Sequence, residues 1–291
     1  MNILVTGANG QLGSEIRELA PLHKNLNFTF TDIDELDITQ HHTLEKFFLK
    51  NKFECIINCA GFTAVDLAEK EKEKATLLNV SAVKNLAEFS SSQNALLVHI
   101  STDYVFDGRN FRPYLESDLT NPKSIYGKSK LDGEVEVIFN AQKAIIFRTS
   151  WLYSLFGHNF VKTILKLAKE NDSLNIIYDQ VGNPTYARDL AKAILEIVPA
   201  YKEKSKFEIF NFSNEGVASW YDFAKEIIEI SGLKCALSPI ETKEYPAAAV
   251  RPHYSVLNKS KIKKYFNISI PYWKDSLKEC IKRIQEQKSA K

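Results

Sequence analysis

The stretch SIYGKSK, residues 124–130, sets a phenol and an ammonium four positions apart. On an α-helix that spacing puts Tyr126 and Lys130 over one another on a single face. The chemistry on offer is proton donation. A free tyrosine has a pKa of about 10, and a cation about 4 to 6 Å away favours the phenolate, lowering that value by about one to three units. A Tyr and a Lys at this spacing also occur on solvated helix faces, so the pair gains meaning from its company. Ser101 and Thr102 stand at the end of the apolar run Leu96 to Ile100, and a hydroxyl there can hold a carbonyl oxygen beside the phenol. Its ordinary alternative is to satisfy loop backbone.

These groups need elements that bring them together. The run Asn2 to Thr6, the turn GANGQLG and the amphipathic stretch Gln11 to Leu19 read as strand, glycine turn and helix. Gly7, Gly10 and Gly13 have the spacing at which backbone amides approach a pyrophosphate and the helix packs close to the strand. A second strand, Asn27 to Thr31, ends in Asp32, placed to accept from an adenosine ribose and repel a 2′-phosphate, or to cap the next turn. That rule leans towards NAD(H), with Asp37 and Ile38 near the adenine. Further strands at Glu54 to Cys59, Leu96 to Ile100 and Ala144 to Thr149 alternate with helices, and Gly61, Phe62 and Thr63 follow a strand end that would border the cofactor. Asn79 either caps a helix over about 80–89 or hydrogen-bonds in the site, with the cap favoured. The fold expected is α/β, a Rossmann-type doubly wound parallel sheet over residues 1–150. Residues 151–291 would form mainly a smaller C-terminal substrate-binding lobe, with segments near 174–200 returning to the sheet.

Composition narrows the function. The 291 residues carry 38 basic and 36 acidic side chains, a net +2, which offers no footprint for nucleic acid or membrane. No secretory leader or membrane-length apolar run is present in the sequence, so a cytoplasmic enzyme acting on small molecules is expected. The four cysteines form no CxxC pair and the six histidines are scattered, which argues against a disulfide framework or a metal centre.

Glycine turn, strand-end hydroxyl and YxxxK in this order resemble the extended short-chain dehydrogenase/reductase family, and within it the dTDP-4-dehydrorhamnose reductases. The likeness runs nearly end to end through GANGQLG, NCAGFTAVDLAE, STDYVFDG, YGKSKLDGE, FRTSWLYS, DQVGNPT and RPHYSVL. It implies NAD(P)H-dependent reduction of the C4 ketone of dTDP-4-dehydro-L-rhamnose, the last step of dTDP-rhamnose formation. By position it makes Thr102, Tyr126 and Lys130 the catalytic trio. Gly7, Gly10, Gln11, Leu12, Gly13, Asp32, Asp37, Ile38, Gly61, Phe62 and Thr63 would line the cofactor, with Tyr126 and Lys130 reaching it. Thr102, Asp103 and Trp151 would touch the sugar. Arg251 is a candidate for phosphate. The resemblance implies NADPH with NADH possible, partly overriding the inference from Asp32, and a homodimer. Some members bridge a dimer with Mg²⁺; Glu15 matches one ligand position, but Arg188 stands where an acid is expected and Val256 replaces an arginine of RPxxSRL. Two other functions share the pattern: a regulatory subunit like that of methionine adenosyltransferase, and a reductase of another 4-keto-6-deoxy sugar nucleotide.

Overall fold

In the computed structural model, which describes residues 1–201 and 206–289, short β-branched runs alternate with amphipathic helices. The first half comprises β1 (Asn2–Thr6), α1 (Gln11–Leu19), β2 (Asn27–Thr31), α2 (His41–Lys50), β3 (Cys55–Asn58), α3 (Val65–Lys70) and α4 (Lys72–Thr76). A π-helical turn at Leu77–Ser81 leads into α5 (Ala82–Ser92), β4 (Leu96–Thr102), α6 (Ile125–Asn140) and β5 (Ala144–Thr149). The second half holds β6 (Leu152–Tyr153), α7 (Phe160–Glu170), β7 (Ser173–Ile177), β8 (Val181–Gly182), β9 (Thr185–Tyr186) and α8 (Ala187–Ala200). It continues through β10 (Phe207–Asn211), β11 (Ala218–Ser219), α9 (Trp220–Ser231), β12 (Ala236–Ile240), α10 (Ser260–Phe266) and α11 (Trp273–Ser289).

The central sheet is wholly parallel, in the order β10-β5-β4-β3-β1-β2. Its inner strands β3 and β5 are buried at every residue, which is why they read as unbroken apolar runs instead of alternating ones. The order reverses between β1 and β3, so the crevice for a ligand opens at the carboxyl ends of those strands. One core, including Ile16, Val98, Phe147 and Ile194, lies under α1 and α8; another, including Leu44, Leu86, Leu97 and Val137, lies under α2, α5 and α6. Past residue 150 the chain serves both parts. The strand β10 joins the sheet edge, while Tyr153, Ile164, Phe223 and Trp273 enclose a separate core built by α7, α9 and α11.

Candidate active site

The helix α6 begins where the side chain of Ser124 accepts from Gly127 N at 3.1 Å. Two of its glycines permit close approach: a Cβ on Gly127 would fall 2.3 Å from Tyr104 O, and one on Gly133 2.2 Å from Asn79 O. The helix therefore sits tight on the end of β4. Tyr126 and Lys130 line one cleft of about 600 Å³ together with Thr102, Asp103, Trp151 and Arg251.

Within that cleft the electrostatics differ from those the YxxxK spacing suggests. The Lys130 ammonium donates to Ile100 O at 2.5 Å, so its charge is committed to β4 instead of the phenol. Burial presses its pKa down to about 8 against the pull of Glu134. Burial likewise pushes Tyr126 up to about 12, with a hydrogen bond from Thr102 acting against this and the Asp103 charge adding to it. The expected acidification of the phenol is thus corrected: burial dominates, and the ammonium that was to lower it is turned to Ile100 O. Thr102 closes β4, donates to Asp103 Oδ1 at 3.0 Å and accepts from Tyr104 N at 3.2 Å. Asp103 is 2% exposed, and burial pushes its carboxyl up to about 6, softened by the Ser255 and Thr102 hydroxyls. Behind the site Ser101 faces Glu134 instead of the cleft chemistry, donating at 2.5 Å to a carboxylate that Arg148 also holds.

The glycine turn is shaped for a dinucleotide. Gly7 has φ +64°, and a Cβ there would meet Ala60 N at 2.5 Å, so only glycine joins β1 to the turn this closely. Gly13 lies beneath, where a Cβ would strike Gly7 O at 2.5 Å. Gly10 caps α1 with no side-chain hydrogen bond, leaving the first-turn amides beside Gln11 and Leu12 free for an anion. Gly10, Gln11, Leu12, Gly61 and Thr63 line the first cleft. A second cavity of about 790 Å³ is lined by Gly7, Asp32, Asp37, Ile38, Gly61 and Phe62, and shares Gly61 with the first. Asp32 borders this cavity, and its carboxylate accepts from Asn9 N at 2.8 Å and from Ile33 N at 2.9 Å at the start of the next turn. The residues present fit a nicotinamide dinucleotide. Asn79 is not a helix cap. It lies in the π-helical turn, where its side chain accepts from Phe62 N at 2.8 Å and donates to Ser129 Oγ at 2.9 Å, clasping the loop after β3 to α6.

On the substrate side Trp151 has φ +46°, a left-handed conformation that costs a bulky residue about 1–3 kcal/mol. Face-to-face stacking on Trp220, centroids 3.6 Å apart, holds it there, and Trp220 Nε1 donates to Gln180 Oε1 at 3.1 Å. Arg251 reaches the cleft but forks onto Asp66, with Nη2 to Oδ2 at 2.5 Å and Nη1 to Oδ1 at 3.1 Å; this bond holds the Asp66 carboxyl below its usual range. Any phosphate bound by Arg251 would share it with that carboxylate. Sequence reasoning missed Trp220, Asp66, Tyr104, His158 and Ser255; of these Asp66, Tyr104 and Ser255 sit inside motifs that could have drawn notice.

Glu15 lies outside both cavities. Its carboxylate accepts from Ser154 Oγ at 2.6 Å, Arg188 Nη1 at 3.1 Å and Arg283 Nη1 at 3.2 Å. Two guanidinium groups already balance its charge, and among the described residues no cluster of His, Cys, Asp and Glu is placed to hold a metal ion. No described helix is long and apolar enough to cross a membrane.

Comparison with known proteins agrees with this geometry. The family model described as RmlD substrate binding domain matches residues 1–286. The chain belongs to that family. Family relatives include the dTDP-4-dehydrorhamnose reductase of Aggregatibacter actinomycetemcomitans, 39% identical over 95% of this chain and 97% of that protein. The spore coat polysaccharide biosynthesis protein SpsK of Bacillus subtilis is 39% identical over 99% of this chain and 98% of its own. Among solved structures, a dTDP-4-dehydrorhamnose reductase from Clostridium acetobutylicum superposes with TM-score 0.93 at 43% identity, covering 98% of this chain and 100% of that one. A dTDP-4-dehydrorhamnose reductase from Bacillus anthracis in complex with NADP superposes with TM-score 0.92 at 37% identity, covering 97% and 99%. The Rossmann-type fold expected from the sequence is the fold of this family.

Proposed function

We propose that this protein reduces the C4 ketone of dTDP-4-dehydro-L-rhamnose to dTDP-L-rhamnose, with NADPH as the preferred reductant and NADH as a weaker one. The observation that carries this is the meeting of Thr102, Tyr126 and Lys130 in a cleft that joins, through Gly61, a cavity shaped for a dinucleotide. The NADP complex of the Bacillus anthracis relative supports the choice of cofactor. When bound, the reduced nicotinamide supplies hydride to the carbonyl carbon. The chain's own residues do the rest. The glycine turn and the open N-terminus of α1 hold the diphosphate, and Asp32 and Asp37 border the adenosine half. Tyr126 keeps its proton at neutral pH and presents it to the ketone oxygen as charge develops there. Lys130 lines the same cleft with its ammonium held on Ile100 O, and the Trp151–Trp220 wall orients the deoxysugar ring. Arg251 offers a fork to the substrate diphosphate.

Cofactor oxidation measured across a panel of nucleotide-linked 4-keto-6-deoxy sugars, with NADPH and NADH in parallel, tests activity, sugar and cofactor together. Tyr126→Phe should cut kcat by about 10²–10⁴-fold while cofactor binding persists. Near-normal turnover by that variant would refute the assignment. A purely regulatory subunit would consume no NAD(P)H in the same assay.

A further inference from the structure

The segment 245–252, which ends beside the cleft-lining Arg251, is neither helix nor strand, so its backbone needs partners from elsewhere. Before it, Thr242 is fixed by its N and Oγ1, which donate to Asp179 Oδ1 at 2.9 and 2.6 Å. After it, Tyr254 N donates to Gly108 O at 3.2 Å, and Pro252 packs so closely that a Cβ on Gly108 would fall 2.5 Å from its Cα. Between those anchors the amides of Ala248 and Ala249 both donate to one atom, Asp66 Oδ1, at 3.1 and 3.0 Å. No amide from Ala247 to His253 donates to a backbone carbonyl among the described residues. Asp66 stands in the first turn of α3, next to the cleft-lining Val65. The same short helix is tied to α6, since Glu69 Oε1 accepts from Ile125 N at 2.8 Å, one residue before Tyr126.

Asp66 also decides which part of Arg251 is left over. A guanidinium has five N–H groups. Nη1 donates to Asp66 Oδ1 and Ala249 O, and Nη2 donates to Asp66 Oδ2, so the outer pair of nitrogens is occupied. Nε and the second hydrogen of Nη2 have no acceptor among the described residues. Those two share one edge of the plane and can take two oxygens side by side, as Arg148 does through Nε and Nη2 with Glu134.

We propose that Asp66 is a positioning residue for the nucleotide sugar: it pins residues 248–251 and holds Arg251 with its Nε/Nη2 edge open for the substrate diphosphate. The proposal rests on the reductase reading above. An arginine on an untethered segment would give up rotamer and backbone freedom on binding, and the carboxylate takes that loss during folding instead. Its charge has an opposing effect, because it repels a diphosphate at short range. The Asp66 side chain is 46% exposed and that of Arg251 20%, so solvent screens the repulsion, whereas the direction of the fork is not screened.

The test uses Asp66→Ala, Asp66→Asn, Arg251→Ala and the double variant Asp66→Ala/Arg251→Ala in the full chain. Calorimetry with dTDP as the probe reads the anion subsite, and NADPH fluorescence is the control. Asp66→Ala should weaken dTDP binding by about 10- to 100-fold and raise KM for dTDP-4-dehydro-L-rhamnose by a similar factor. Its kcat at saturation and its NADPH affinity should stay within about threefold of wild type. The double variant should lose no more than Arg251→Ala does, because Asp66 acts through the guanidinium. Asp66→Asn keeps Oδ1 but sets an amide NH₂ against Nη2. It should retain slow hydrogen exchange at Ala248 and Ala249 while losing affinity for dTDP, whereas Asp66→Ala should lose both. Unchanged or tighter dTDP binding by Asp66→Ala would overturn the proposal. So would losses that multiply in the double variant, or Ala248 and Ala249 amides that exchange equally fast in wild type and Asp66→Ala. A wild type that binds dTDP but turns over no 4-keto sugar would overturn the reductase reading alone, and the dTDP and exchange measurements would still decide the role of Asp66.

Discussion

Replacing Arg148 with methionine probes what keeps the proton donor in place. From β5, Arg148 Nε donates to Glu134 Oε1 at 2.9 Å and Nη2 to Oε2 at 2.7 Å, and the two side chains are only 4% and 2% exposed. Glu134 stands one turn beyond Lys130 on α6, so the pair ties the helix that carries Tyr126 to the sheet. Removing the guanidinium leaves a buried carboxylate hydrogen-bonded to the Ser101 hydroxyl, with the Lys130 ammonium as the nearby countercharge. Breaking one side of such a pair costs about 3–5 kcal/mol, against the total of about 5–15 kcal/mol that holds a domain. At about 3 kcal/mol the folding equilibrium constant drops roughly 150-fold. Urea unfolding followed by circular dichroism at neutral pH measures this. The double variant Arg148→Met/Glu134→Gln, which leaves no unpaired charge, should recover a large part of the loss. A destabilisation below about 1 kcal/mol for Arg148→Met, or losses that simply add in the double variant, would refute this account of the buried pair. Glu134 also holds the Lys130 pKa up, so Glu134→Gln should move the lysine's titration below about 8.

Other expectations follow from the same contacts. Asp103 titrates at about 6 in the fold against an ordinary 3.8, so the folded chain binds the proton more tightly and loses roughly 3 kcal/mol of stability as pH rises through that window. Asp103→Asn should therefore be more stable than wild type above about pH 6, with the gap closing below about pH 4; melting curves across that range would expose an error if the gap stayed constant. Gly182→Ala sets a Cβ 2.7 Å from Ser255 Oγ and 2.8 Å from Trp151 Cε2. Overpacking of about 1–3 kcal/mol and a displaced indole should raise KM for the sugar nucleotide more than they alter cofactor affinity, and unchanged steady-state kinetics would contradict the placement of Trp151. Because Arg188 and Arg283 already balance Glu15, EDTA and added Mg²⁺ should both leave Tm unmoved; a Tm that rises with Mg²⁺ would show a site the arginines do not fill. Gly7→Ala should abolish cofactor binding, read by NADPH fluorescence, since its Cβ has no space beside Ala60.

What the chain disclosed on its own was local. The apolar run Asn2–Thr6, the glycine turn and α1 are legible because a buried strand, a tight turn and an amphipathic helix each leave a short-range imprint, an unbroken apolar run and a period of 3.6 with glycines between. The strand-end hydroxyl Thr102 and the Tyr126/Lys130 spacing are legible for the same reason, since strand ends of a doubly wound sheet are where ligands bind. Tertiary structure decided the rest. Asp66 meets Arg251 across 185 positions of sequence, and Trp220 at the start of α9 stacks on Trp151, which follows β5. Asn79 clasps a loop that its neighbours in sequence do not reveal. Above all, the protonation of Tyr126, Lys130 and Asp103 follows from how much water each has lost. Desolvation is a property of everything packed around a group, and no spacing along the chain encodes it.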